Sequence, residues 1–176
     1  MTTPYRISIS CSDRVGLVAA ITGKLFDLGI NLGDNTFAVL GSGAEFVSVC
    51  DIPEDLEIEE LESQLSMLDE LSEAEIVIKE FQLDEWHGPT AKITHFITVK
   101  GGDNPGLIAR LSEAFVEFGA NIVRLNSEKI QQESGIHYQI RFAVWIPGET
   151  ITSCLATIEN TASALQMNCI IEENGS

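Results

Sequence analysis

One signature occurs twice in this chain, 90 residues apart. The first copy reads SDRVGLVAAITGKLFDLGINL from Ser12 to Leu32, and the second reads GDNPGLIARLSEAFVEFGANI from Gly102 to Ile122. The offset sets Asp13 on Asp103, Gly16 on Gly106, Leu17 on Leu107, Gly29 on Gly119 and Asn31 on Asn121. Each copy follows one alternating apolar run and leads into another. A repeat of this length means one supersecondary unit used twice. Any site built on the turn is then expected twice as well.

The repeat divides the 176 residues into a first domain over 1–83, a linker over 84–92 and a second domain over 93–176. The linker reads DEWHGPTAK, with Gly-Pro at its centre. In the first half, Tyr5 to Cys11 alternates as a half-buried strand. Asp13 is a candidate helix cap, and Leu17, Val18, Ile21, Leu25 and Leu28 follow at helical spacing up to a terminating Gly29. Strands are predicted over Leu32 to Leu40 and Glu45 to Ile52, joined by Gly41-Ser42-Gly43. Pro53 opens a second helical stretch carrying Leu61, Leu65, Leu68 and Leu71, and a last strand covers Glu75 to Leu83. The second half repeats the order. A strand over Thr94 to Lys100 precedes a helix with Pro105 in its first turn and Gly119 at its end. Strands over Ile122 to Ile130 and Ile136 to Ile146 follow, then a helix marked by Ile151, Leu155, Ile158, Ala162 and Leu165. Met167 to Ile171 closes the unit.

Twice βαββαβ predicts an α+β protein of two tandem units, each an antiparallel sheet with both helices on one face. The other face is left open. In the second unit it carries Ala143 and Trp145 beside charged residues, so cover by the other unit or by a second chain is expected, through sheet-to-sheet or edge-to-edge association, with a homodimer as the assembly.

Net charge is −17, and it is lopsided. Residues 1–91 hold 4 basic and 18 acidic side chains, and residues 92–176 hold 6 and 9. Such a surface repels phosphate backbones, and no Lys/Arg cluster offsets it, which argues against direct nucleic-acid binding. No apolar run approaches the roughly 20 residues of a membrane span. Met1 to Ser10 lacks the basic start and apolar core of a secretory signal, so a cytoplasmic location is expected. Cys11, Cys50, Cys154 and Cys169 have no metal-ligand spacing. They read as small buried hydrophobes, with disulfide pairs as the alternative. His87, His95 and His137 belong to no triad or metal set, so no catalytic residue, metal or cofactor is predicted. The acidic run from Glu54 to Glu62 reads as a solvated helix face favoured by the dipole, with a docking surface for a basic partner as the alternative.

The turn carries the chemistry. Backbone N–H groups at a helix start are unpaired and sit at the positive end of the dipole, which suits a carboxylate. Gly16 and Gly106 allow close approach. Asn31 and Asn121 could bind a ligand ammonium and carboxylate through their amides, and Asp13 or Asp103 could hold the ammonium. The candidate ligand set is therefore Asp103, Asn104, Gly106, Leu107, Asn121 and Ile122, with Asp13, Arg14, Gly16, Asn31 and Leu32 from the first copy. The expected ligand is a small amino acid.

Asp-x-x-Gly-Leu/Ile at the helix start, followed by Gly-x-Asn-Ile/Leu entering the next strand, resembles the ACT domain family. The likeness spans both halves, although Val15 stands where the second copy has Pro105. It implies small ferredoxin-like modules that bind amino acids or similar metabolites and regulate attached or partner proteins. Two such units, with DNTFAVLG from Asp34 to Gly41 and then Glu45-Phe46, resemble the glycine cleavage system transcriptional repressor family. That resemblance implies a non-catalytic transcriptional regulator acting through a partner protein. A regulatory subunit of an amino-acid biosynthetic enzyme, similar to the acetolactate synthase small subunit, is the alternative. In that subunit the ACT likeness lies in the first half, whereas here the fuller motif lies in the second.

Overall fold

The computed structural model describes residues 4–102, 105–132 and 135–175. The chain forms two compact units, 1–83 and 84–176. In the first, the elements are β1 (Pro4–Ser12), α1 (Leu17–Asp27), β2 (Asn31–Leu40), β3 (Gly43–Asp51), α2 (Ile58–Ser66) and β4 (Glu75–Glu80). In the second they are β5 (His95–Gly102), α3 (Leu107–Glu117), β6 (Asn121–Gln132), β7 (Gly135–Trp145), α4 (Ile151–Ala164) and β8 (Asn168–Glu173). The sheets run β2-β3-β1-β4 and β6-β7-β5-β8, and every pairing is antiparallel. This is the doubled βαββαβ order read from the sequence, with each unit burying one face of its sheet under its helices.

Alternation decides which face is buried. In β1, Ile7 and Ile9 have no exposed surface and meet Ile21 and Leu25 of α1 and Leu61 and Leu65 of α2. In the second unit, Ile97 and Val99 of β5 and Ile140 and Phe142 of β7 lie under Leu111 and Phe115 of α3 and Ile158 of α4. Each core is continuous within its own unit.

Three local readings are corrected. The helix expected from Pro53 onward starts only at Ile58, because the Leu56 N–H bonds to the Pro53 carbonyl and closes a turn first. It also stops at Ser66: Leu68 is extended (φ −74°, ψ 128°), so Leu71 sits in a separate 3₁₀ turn over Asp69–Leu71. Asp13 does not cap α1. Gly16, in the left-handed conformation, occupies the cap position, and no side chain bonds to the helix start. Residues Pro89–Ala91, within the segment read as a linker, form a 3₁₀ turn.

Candidate functional site

Both turns have the same backbone logic. Gly16 (φ 89°, ψ −5°) precedes α1 and Gly106 (φ 76°, ψ 9°) precedes α3. Each glycine carbonyl accepts the first helical bond, from Ala20 N–H at 2.9 Å and from Arg110 N–H at 3.0 Å. A Cβ at either glycine would meet no atom within 4 Å, so the positive φ, and not crowding, selects glycine. Gly16→Ala and Gly106→Ala are accordingly expected to cost about 1 kcal/mol each through backbone strain alone. Urea denaturation measures this, and unchanged midpoints in both variants would contradict the assigned conformation.

Around the first turn, Asp13 N–H donates to the Ser42 carbonyl at 2.9 Å, and the Arg14 guanidinium donates to the Asp69 carbonyl at 2.9 Å. Arg14 thus ties the turn to the segment after α2. Leu17 and Leu107 are buried core side chains; the Leu17 N–H donates to the Arg14 carbonyl at 3.4 Å, so what Leu107 offers a ligand is its backbone N–H. Asp103 and Asn104 lie outside the described residues.

The asparagines do not join the turns within a unit. Asn31 pairs with Asp51 at one end of β3, while Ser12, leading into the turn, pairs with Gly43 at the other. Eight residues of strand separate these rungs, about 27 Å. The second unit repeats the separation, with Asn121 opposite Trp145 and Gly102 opposite His137. The helix between each turn and its asparagine carries the chain to the far end of the sheet, so no single unit assembles a pocket from both. Asn121 is engaged elsewhere: its Nδ2 donates to the Thr90 carbonyl at 3.0 Å. Leu32 and Ile122 are half-buried and pack on their cores.

What faces the second turn was not read from the sequence. A cleft of about 280 Å³ has the start of α3, Pro105 to Ala109, on one side and Lys129 and Tyr138 on the other. These two are directly paired across β6 and β7, and Tyr138 also pairs with Gly101 of β5. The cleft therefore combines unpaired helix N–H groups, a lysine and an aromatic ring, a set suited to a small carboxylate. The same rung of the first unit holds Val39 and Ala44, which pairs with Cys11, the residue matching Gly101 in the repeat. The turn is duplicated, but the cation opposite it is not. Only the strand register could have located Lys129.

Cys50, Cys154 and Cys169 are free thiols whose pKa is pushed up to about 11, each chiefly by burial. Burial raises Cys11 too, against the opposing pull of Arg14. His95 is buried, with Nδ1 2.9 Å from the Thr94 hydroxyl. Among the described residues no group of His, Cys, Asp and Glu could hold a metal ion, and no helix is long and apolar enough to cross a membrane.

No family model matches the chain, and no curated protein does. Solved structures do match. A crystal structure of an unknown protein from Galdieria sulphuraria aligns over 99% of this chain and 100% of its own, with a TM-score of 0.73 at 19% identity. Another, provisionally named a glycine cleavage system transcriptional repressor, aligns over 100% and 99% with a TM-score of 0.67 at 14% identity. At these identities the likeness is one of fold. The fold is the tandem ferredoxin-like βαββαβ arrangement, shared along the whole chain.

Proposed function

We propose that this chain is a non-catalytic regulatory protein that binds a small amino acid at the second turn and controls transcription through a partner protein. The observation that carries the reading is the cleft between the start of α3 and the Lys129–Tyr138 pair. Its volume lies at the lower limit of ligand pockets, which favours a small ligand such as glycine or serine. The ligand carboxylate takes the N–H groups of α3, with the Lys129 ammonium opposite. Gly16 heads an equivalent turn, but the matching rung carries Val39 in place of a lysine and Arg14 is tied to the Asp69 carbonyl, so it is the weaker site.

The whole-length likeness in fold to a protein provisionally named a glycine cleavage repressor supports a regulatory role. The net charge of −17 supports action through a protein and not on nucleic acid directly. The protein works in the cytoplasm as a homodimer in this reading.

The test is a thermal-shift screen of the full chain against the twenty amino acids at millimolar concentration. A ligand at about one hundred times its dissociation constant adds roughly 2.7 kcal/mol, which moves the midpoint by several degrees. The expected result is a saturable shift with glycine or serine. Lys129→Gln, with an unchanged melting midpoint, is expected to weaken that ligand about tenfold, as befits one lost charged hydrogen bond. A flat screen across all twenty would defeat the proposal.

A further inference from the structure

The open face of the second sheet holds a depression of about 360 Å³, separate from the turn cleft. Its geometry follows from the strand register. One row across the sheet reads Glu172, Phe96, Ala143, Arg124, and the next reads Ile170, Thr98, Arg141, Asn126. Ala143 forms the floor. Its side chain is short while its neighbours in the row are long, so the surface sinks there, and the residue is only 5% exposed. The Phe96 ring supplies an apolar wall.

The poles of the depression are opposite in charge. Arg124 stands on β6 at one side and Glu172 on β8 at the other, three strand spacings or about 14 Å apart at the backbone. Among the described residues neither side chain makes an ion pair or hydrogen bond. Arg141 is held differently. Its guanidinium lies 3.0 Å from the Glu128 carboxylate, which also accepts from the buried Gln139 amide at 2.8 Å. Glu128 therefore offsets the Arg141 charge and fixes its direction. The unmatched charges left are one guanidinium and one carboxylate, facing each other across an apolar floor.

We infer that this depression is a second binding site, for a zwitterionic amino acid with an apolar side chain. The ligand carboxylate pairs with Arg124, assisted by Asn126 and the free edge of Arg141. Its ammonium pairs with Glu172. Its side chain lies on Ala143 against Phe96, where burial favours aliphatic groups over polar ones. A simple anion would satisfy Arg124 and face repulsion from Glu172, whereas a zwitterion satisfies both. The volume falls within the range of small-molecule sites. This site does not depend on the turn cleft, and the two can be separated by mutation.

The test uses the full chain and three probes in calorimetric titrations: L-leucine, 4-methylpentanoate, which lacks its ammonium, and 3-methylbutylamine, which lacks its carboxylate. Leucine is expected to bind at least tenfold more tightly than either truncated probe. Arg124→Ala is expected to weaken leucine at least tenfold, and Glu172→Gln to weaken leucine while leaving 4-methylpentanoate equal or tighter. Both residues are exposed, so melting midpoints should hold, and Lys129→Gln should leave leucine binding intact. Absence of leucine binding at 10 mM, or affinity unchanged in both Arg124→Ala and Glu172→Gln, overturns the site. Loss of leucine binding in Lys129→Gln alone would place it in the turn cleft and equally overturn the inference, leaving the proposed function standing.

Discussion

Phe115→Ala is expected to lower the stability of the second unit by about 4 kcal/mol. Phe115 has no exposed surface and meets Phe142 edge-on, with ring centroids 5.3 Å apart and an interplanar angle of 62°. The substitution removes the ring from water-free contact, leaves a cavity between α3 and the sheet, and loses an aromatic pair worth about 1 kcal/mol. A domain of this size commonly has only 5–15 kcal/mol in hand, so the loss takes a large share of it. Both tryptophans, Trp86 and Trp145, lie in the second unit. Their fluorescence during urea denaturation therefore reads the effect directly. Phe115→Leu, which keeps most of the volume, is expected to cost far less. A loss below about 1 kcal/mol in the alanine variant would contradict the packing of α3 on β7.

Alkaline pH should destabilise the protein through its thiols. Cys50, Cys154 and Cys169 ionise in the unfolded chain near the ordinary value of 9.0, but in the folded protein only at about 11. Burial is the main cause in all three, helped by Asp51 beside Cys50 and Glu159 beside Cys169. Between these values the unfolded state has released protons that the folded state still holds, so stability falls as pH rises. The contribution is complete below pH 9 and is lost as pH passes through about 11. A tenfold difference between the folded and unfolded ionisation constants corresponds to about 1.4 kcal/mol, so even one such thiol makes the decline measurable. Urea midpoints at pH 8, 9.5 and 10.5 should drop progressively, and Cys154→Ala should flatten the drop. An identical pH slope in that variant would remove Cys154 as a contributor.

Much of the fold was legible because its signals are local. Alternation over Tyr5 to Cys11 predicted a half-buried strand, and Ile7 and Ile9 in it are fully buried. The glycines before α1 and α3 marked turns whose positive φ only glycine accepts readily. The errors arose where a local signal met a competing local bond. Leucine spacing ran through Leu68 and Leu71, but the extended backbone at Leu68 ended α2. Asp13 had the chemistry of a cap, yet Gly16 took the position and left the aspartate outside the helix.

The candidate site divides in the same way. Sequence by itself determined that the chain holds two βαββαβ units, that the strand over Tyr5 to Cys11 is half-buried, and that a glycine turn precedes the first helix of each unit. Those properties depend on residues within one or two turns of each other, and periodicity encodes them. Tertiary structure alone decided what stands opposite. It set Lys129 and Tyr138 against the second turn and Val39 and Ala44 on the matching rung of the first. It carried Asn31 and Asn121 to the far ends of their sheets, and it aligned Arg124 with Glu172 across four strands. These neighbours lie tens of residues apart in the chain. Their meeting is governed by strand register, which the buried face imposes on the whole sheet at once and no short stretch of sequence contains.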